Sequence, residues 1–148
     1  MRAAGGTIFY SNSGLTTGVS LAAGGGAWAN LSDVRMKTNF RDLDGEDVLR
    51  KLARIPVREW NYISQDASIR HVGPTAQDFH AAFGLGDNDR TISTLDPDGI
   101  GLKAIQALDA RTQRTNADLA RLIEENTALR AELTALRAAV SELGRERR

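Results

Sequence analysis

Cysteine is absent from the 148 residues, which excludes disulfide staples, thiolate nucleophiles and Cys-ligated zinc and leaves the redox compartment open. Aromatic residues make up only 5% of the chain, so a thick single core is not expected and oligomerisation is the natural remedy. Net charge is absent too: 19 Lys and Arg balance 19 Asp and Glu, leaving no whole-molecule field to hold nucleic acid or an anionic membrane. No apolar run approaches the roughly 18 residues of a membrane span. Met1–Gly6 lead into Thr-, Tyr- and Ser-bearing segments instead of a continuous apolar stretch, so no secretory signal is expected.

Charge is also missing locally, and that absence divides the chain. No charged side chain occurs from Ala3 to Leu31, whereas from Asp33 onward charges come every few residues. The change sets a boundary at Ser32. In the first region Thr7-Ile8-Phe9-Tyr10 and Val19-Ser20-Leu21 are β-prone runs separated by the turn-forming Ser11-Asn12-Ser13-Gly14, which predicts a two-stranded hairpin. Half of the 14 glycines lie here, including Gly24-Gly25-Gly26 before Trp28, and so slight a hairpin is marginal alone. It is expected to borrow its core from neighbouring chains.

From Ser32 to Gly101 the pattern is that of a small mixed domain. Gly45–Leu52 places Val48, Leu49 and Leu52 on one helical stripe, and Ile55-Pro56 stops it. Val57–Tyr62 alternates as a half-buried strand does. Thr75–Phe83 spaces Phe79 and Phe83 four apart on a second helix, with Gly84 as its stop. Thr91–Leu95 reads as a β-prone run leading into a turn at Asp96-Pro97-Asp98-Gly99, with Asp98 as a cap for a long helix beyond it.

The last region, 102–148, carries the strongest periodicity. With a positions at Ile105, Thr112, Leu119, Asn126, Leu133 and Val140, and d positions at Leu108, Thr115, Leu122, Leu129, Leu136 and Leu143, the repeat is unbroken. It predicts a coiled coil about 60 Å long. Glu125 with Arg130, and Glu132 with Arg137, sit at g and the following e, where opposite charges favour parallel helices. Asn126 in the seam leans toward a dimer, while the hairpin's need for a shared core leans toward a trimer. The fold class predicted is thus α+β: a short N-terminal β-hairpin stub (1–31), a small mixed α/β domain (32–101) and a long C-terminal helix (102–148) in a parallel coiled coil.

Chemistry is sparse. Ser32 and Lys37 supply a hydroxyl and an amine five residues apart; a Ser becomes a nucleophile when a base takes its proton, and a neutral Lys amine can be that base. Residues five apart on a straight helix or strand face different sides, so the two meet only across a turn or between chains. The bland reading of Ser32-Asp33 is a helix cap. Arg35 is a second cation beside Lys37, and amides near Asp33 and Asn39 are candidate oxyanion donors. Asp42-Leu43-Asp44-Gly45-Glu46-Asp47 resembles the opening of a calcium loop but lacks the remaining ligands, so a turn and cap are expected. His71 and His80 lack matching ligands at metal spacing, and Gly84-Leu85-Gly86 lacks the preceding strand of a nucleotide loop. Arg145-Glu146-Arg147-Arg148 reads as a solvated helix end. No metal, cofactor or small-molecule site is expected.

Several stretches together resemble the peptidase S74 family, the C-terminal intramolecular chaperones of bacteriophage endosialidases, tailspikes and tail fibres, found also in myelin regulatory factor. They are Leu31–Phe40, Glu59–Tyr62, Arg70–Phe79, Phe83–Gly86 and Asp96–Gly101, in family order. The resemblance implies a homotrimer that folds an upstream β-rich fibre of the same polypeptide and then releases itself by autoproteolysis. It puts the nucleophile on Ser32 and the general base on Lys37. The bond cut is then Ser32-Asp33 by family precedent, with Leu31-Ser32 as the alternative. It also implies assembly in a bacterial host cytoplasm and a place on the virion tail, with the released domain not retained. A non-cleaving trimeric fibre tip is the other reading. A regulator acting on a DNA-binding partner is the third, and the zero net charge argues against direct nucleic-acid binding.

Overall fold

The computed structural model describes residues 3–146. Met1, Arg2 and the Arg147-Arg148 end of the basic terminus lie outside the described residues. The architecture is mixed α+β, with two small antiparallel sheets, two short helices and one long helix. It divides into two compact units, one ending at Ile100 and one starting at Gly101.

The first sheet is a meander of β1 (Thr7–Tyr10), β2 (Gly18–Leu21) and β3 (Trp28–Asn30). The sequence predicts only its first two strands. Thr7 pairs with Leu21, and Leu21 in turn with Trp28. The β1–β2 connection is organised by Asn12, whose Oδ1 accepts from the Thr16 and Thr17 amides at 3.0 and 3.2 Å. At Gly18 a Cβ would stand 1.9 Å from the Phe9 carbonyl oxygen, so the close strand approach requires glycine there. The meander has no buried side: Ile8, Phe9, Tyr10 and Trp28 are all exposed, and the Phe9 and Trp28 rings meet at 5.7 Å.

After this sheet, α1 (Gly45–Leu52) begins where Asp44 accepts from the Glu46 and Asp47 amides at 2.9 and 3.3 Å. That cap gives the acidic Asp42–Asp47 stretch its role, and Asp47 is paired with Arg50 and Lys51. A two-stranded sheet follows, β4 (Arg58–Trp60) against β5 (His71–Gly73), with Trp60 opposite His71. Helix α2 (Ala76–Phe83) is capped by Thr75 and ends at Gly84, whose φ of 63° is the left-handed stop that glycine adopts without strain. Val48 of α1 and Phe79 of α2 are buried at 3% and 4% exposure, and Lys51 reaches over the Phe83 ring. These two helices pack on each other, and Ile100 is buried to the same extent in this unit.

Helix α3 runs from Leu95 to Glu146. The Asp96–Gly99 segment is therefore the first helical turn instead of a separate turn, and Thr91–Leu95 forms no strand. Pro97 fits there because its missing N–H lies where helical amides have no partner, and Asp96 and Asp98 face the positive end of the helix dipole. Asp98 thus sits inside the first turn and not at the cap. In the second unit every apolar seam residue from Ile105 to Leu143 is exposed. Thr112 and Thr115 turn their hydroxyls back to the Leu108 and Arg111 carbonyls at 2.9 and 3.0 Å.

Candidate active site

Ser32 follows the end of β3, where the Leu31 amide still donates to the Gly18 carbonyl at 3.0 Å. The chain then folds into a single 3-10 turn over Val34–Met36. Its frame is two backbone bonds, Met36 N to Asp33 O at 3.0 Å and Lys37 N to Val34 O at 3.2 Å. A 3-10 turn rises only about 2 Å per residue, so it shortens the path between residues that an extended chain would hold far apart. Through it the Lys37 Nζ donates to the Ser32 Oγ at 2.6 Å.

The donor in that bond is the amine, as an ammonium requires; general-base action reverses the bond, with the hydroxyl donating to a neutral amine. Ser32 and Lys37 are both exposed in the chain taken alone. Arg35, adjacent in sequence, turns to Asp33: its Nε lies 3.1 Å from both carboxylate oxygens and its Nη2 2.5 Å from Oδ2. That side-chain bond, with the Arg35 amide donating to the same carboxylate, holds the Asp33 carboxyl below the usual carboxylate range. Asn39, a candidate for an oxyanion amide, has φ 56°, a left-handed conformation that asparagine tolerates better than most residues.

Two features escape the sequence. One is the Asp33–Arg35 fork, since these two side chains meet through a single 3-10 turn that no repeating pattern announces. The other is an aromatic cluster in which the Trp60 and His71 rings stack at 4.9 Å, the Tyr62 edge meets Trp60 at 4.9 Å, and the His71 Nε2 bonds Gln65 Oε1 at 2.8 Å. Trp60 and Tyr62, with Pro74, Thr75, Arg90 and Ile92, line an open cavity of about 500 Å³. His80 is engaged elsewhere, its Nδ1 donating to the Leu85 carbonyl at 2.9 Å. The two histidines therefore have separate structural partners, and Gly84 serves the end of α2.

Residues 32–84 match the model of the peptidase S74 family, described as chaperone of endosialidase. The resemblance drawn from the motifs is thereby shown over those residues. The matched segment opens at Ser32 and contains Lys37, both sheet-two strands and both short helices. No curated protein and no solved structure matches the chain.

Proposed function

We propose that this chain is an intramolecular chaperone of a phage tail spike or fibre, acting as a homotrimer and released by Ser32–Lys37 autoproteolysis. The observation that carries the reading is the 2.6 Å contact between Lys37 Nζ and Ser32 Oγ at the start of the segment matched to the chaperone of endosialidase. Residues 1–31 are then the last part of the β-rich client, 32–101 the chaperone and protease domain, and 102–148 the clamp. A β fibre of three chains must close long loops before its contacts form, and a coiled coil of fixed register gathers and aligns the chains early. Cleavage afterwards discards the clamp and leaves an interlocked product on the virion tail.

In this reading Ser32 Oγ bonds to an adjacent carbonyl carbon while its proton passes to Lys37 Nζ. The C–N bond breaks, and the new amine leaves with the proton that Lys37 returns. Water hydrolyses the ester to a carboxylate and restores the hydroxyl. Attack on the Leu31 carbonyl closes a five-membered ring and cuts Leu31-Ser32. Cutting Ser32-Asp33 with the same residue's hydroxyl needs a strained four-membered ring, so that bond requires a neighbouring protomer's hydroxyl or an activated water. Either cut leaves the meander whole, because its last anchoring bond, Leu31 N to Gly18 O, lies before Ser32.

The test is intact mass under denaturing conditions. Wild type is expected to give two fragments meeting at Ser32, whose masses identify the bond, while Ser32→Ala, Lys37→Ala and Lys37→Arg stay whole, since a guanidinium is no base near neutral pH. A wild-type chain that stays whole overturns the cleaving reading in favour of a non-cleaving assembly domain.

A further inference from the structure

The turn that brings Lys37 to Ser32 has little else to hold it. None of its residues is buried, and Val34 and Met36 expose their side chains to solvent. Two 3-10 backbone bonds are weak support, because such turns have poorer hydrogen-bond geometry than an α-helix and no packing here adds to them. Among the described residues, the other bonds besides Lys37 Nζ to Ser32 Oγ come from one pair. Asp33 Oδ1 accepts from the Arg35 amide at 2.9 Å, capping the turn, and the Arg35 guanidinium spans both carboxylate oxygens. A planar guanidinium matches a carboxylate in two places at once, which an ammonium does not.

We propose that Asp33 and Arg35 are positioning residues whose fork keeps the 3-10 turn closed and so holds Lys37 Nζ on Ser32 Oγ. The inference rests on reading Ser32 and Lys37 as the reacting pair. Neither Asp33 nor Arg35 touches the Ser32 hydroxyl or the Lys37 amine; they act through the backbone between them. The pair is solvent-exposed, with side chains at 39% and 80% exposure, so its weight in global stability is small while its hold on the turn is local. Losing it therefore slows the reaction without melting the domain.

Two measurements on the full chain test this. The first follows cleavage by intact mass during cell-free synthesis. Asp33→Ala and Arg35→Ala are expected to cleave about fivefold more slowly, as loss of a cap predicts. Asp33→Asn, which keeps an acceptor for the Arg35 amide, recovers part of the rate, whereas Arg35→Lys recovers little. In the Ser32→Ala background the melting temperature stays unchanged by Asp33→Ala. A fall in rate and melting temperature together, or a wild-type rate in Asp33→Ala, overturns the proposal. Normal cleavage by Ser32→Ala or Lys37→Ala instead overturns the dyad itself.

The second measurement does not depend on cleavage. The chain has no cysteine, so Ser32→Cys supplies a sole thiol whose pH-dependent alkylation by iodoacetamide is read by mass. The Lys37 ammonium at this distance is expected to lower the alkylation midpoint by roughly half a unit below a free thiol. The charged neighbours are Lys37, Arg35 and Asp33, and they give the second change a diagnostic sign. Removing the Asp33 carboxylate alone lowers a thiol midpoint further, whereas releasing Lys37 raises it. Adding Asp33→Ala is expected to raise the midpoint toward that of the Lys37→Ala chain without reaching it, because the Lys37→Ala chain keeps the Asp33 carboxylate. An unchanged or lowered midpoint overturns the proposal.

Discussion

Arg130 donates its Nε to the Oδ1 of Asn126, one helical turn earlier, at 2.7 Å. Asn126 is an a position of the heptad repeat, and its amide oxygen thus has a partner within its own helix at a site flanked by exposed Leu122 and Leu129. Arg121 likewise engages Asp118 and Glu125 on the same helix, at 3.3 and 3.1 Å. In the proposed parallel trimer the Glu125–Arg130 pairing between chains exchanges with these internal bonds, so the charges set orientation more than they add stability. The apolar stripe supplies the association energy, because an isolated helix this exposed gains nothing from packing.

Leu129→Asp is expected to abolish association. The substitution puts one carboxylate per chain into a seam whose neighbouring layers are apolar, and desolvating those like charges outweighs what the remaining layers contribute. Sedimentation at micromolar concentration checks it: the parent, carrying Ser32→Ala, sediments as a trimer and the variant as a monomer. A variant that stays trimeric shows that the seam lies elsewhere.

Phe79→Ala is expected to cost about 3 kcal/mol of stability, the usual range for truncating a buried aromatic. Phe79 is 4% exposed, and its ring meets Phe83 at 5.2 Å where α2 packs on α1. With Val48 and Ile100 it is one of the few large side chains buried among the described residues, so little remains to collapse into the space. Denaturant unfolding in the Ser32→Ala background checks the figure, with the exposed Val72→Ala as a control within about 0.5 kcal/mol of the parent.

Local chemistry made α1 and α2 legible in sequence: the Asp42–Asp47 turn and cap and the Gly84 stop act on the residues beside them, whereas Thr75, read as helical, is the cap of α2. The three-residue strands β3 and β5 leave no period to read, and they exist through pairing with the strands that precede them, β2 and β4. The start of α3 was hidden by ambiguity, since Asp-Pro-Asp-Gly serves a turn or a first helical turn equally well and Ile100, buried at 3%, favours the helix. For the site, spacing named Ser32 and Lys37 only as residues that need a turn to meet. The turn itself is bonded through Asp33 and Arg35, and their two-residue spacing reads as readily as one face of a strand.

Acid is expected to destabilise the chain through carboxylates held charged in the fold. The Lys51 ammonium, and then the Arg50 guanidinium, keep the Asp47 carboxyl below the usual carboxylate range. The Ser68 hydroxyl and amide do the same for Asp66. A carboxyl whose folded value is depressed contributes its stability fully above the unfolded value, about 4, and loses it as pH falls through the folded one. The melting temperature of the Ser32→Ala chain should therefore hold from pH 7 to about 5 and fall below about 4. Asp47→Asn carries the discriminating result. The amide keeps the shape but not the charge, so this variant should melt lower than its parent at pH 7 and converge on it as pH falls through the depressed value at which the parent's own carboxyl takes up its proton. Parallel curves across that range would show that the Lys51 and Arg50 pairs contribute nothing to the fold.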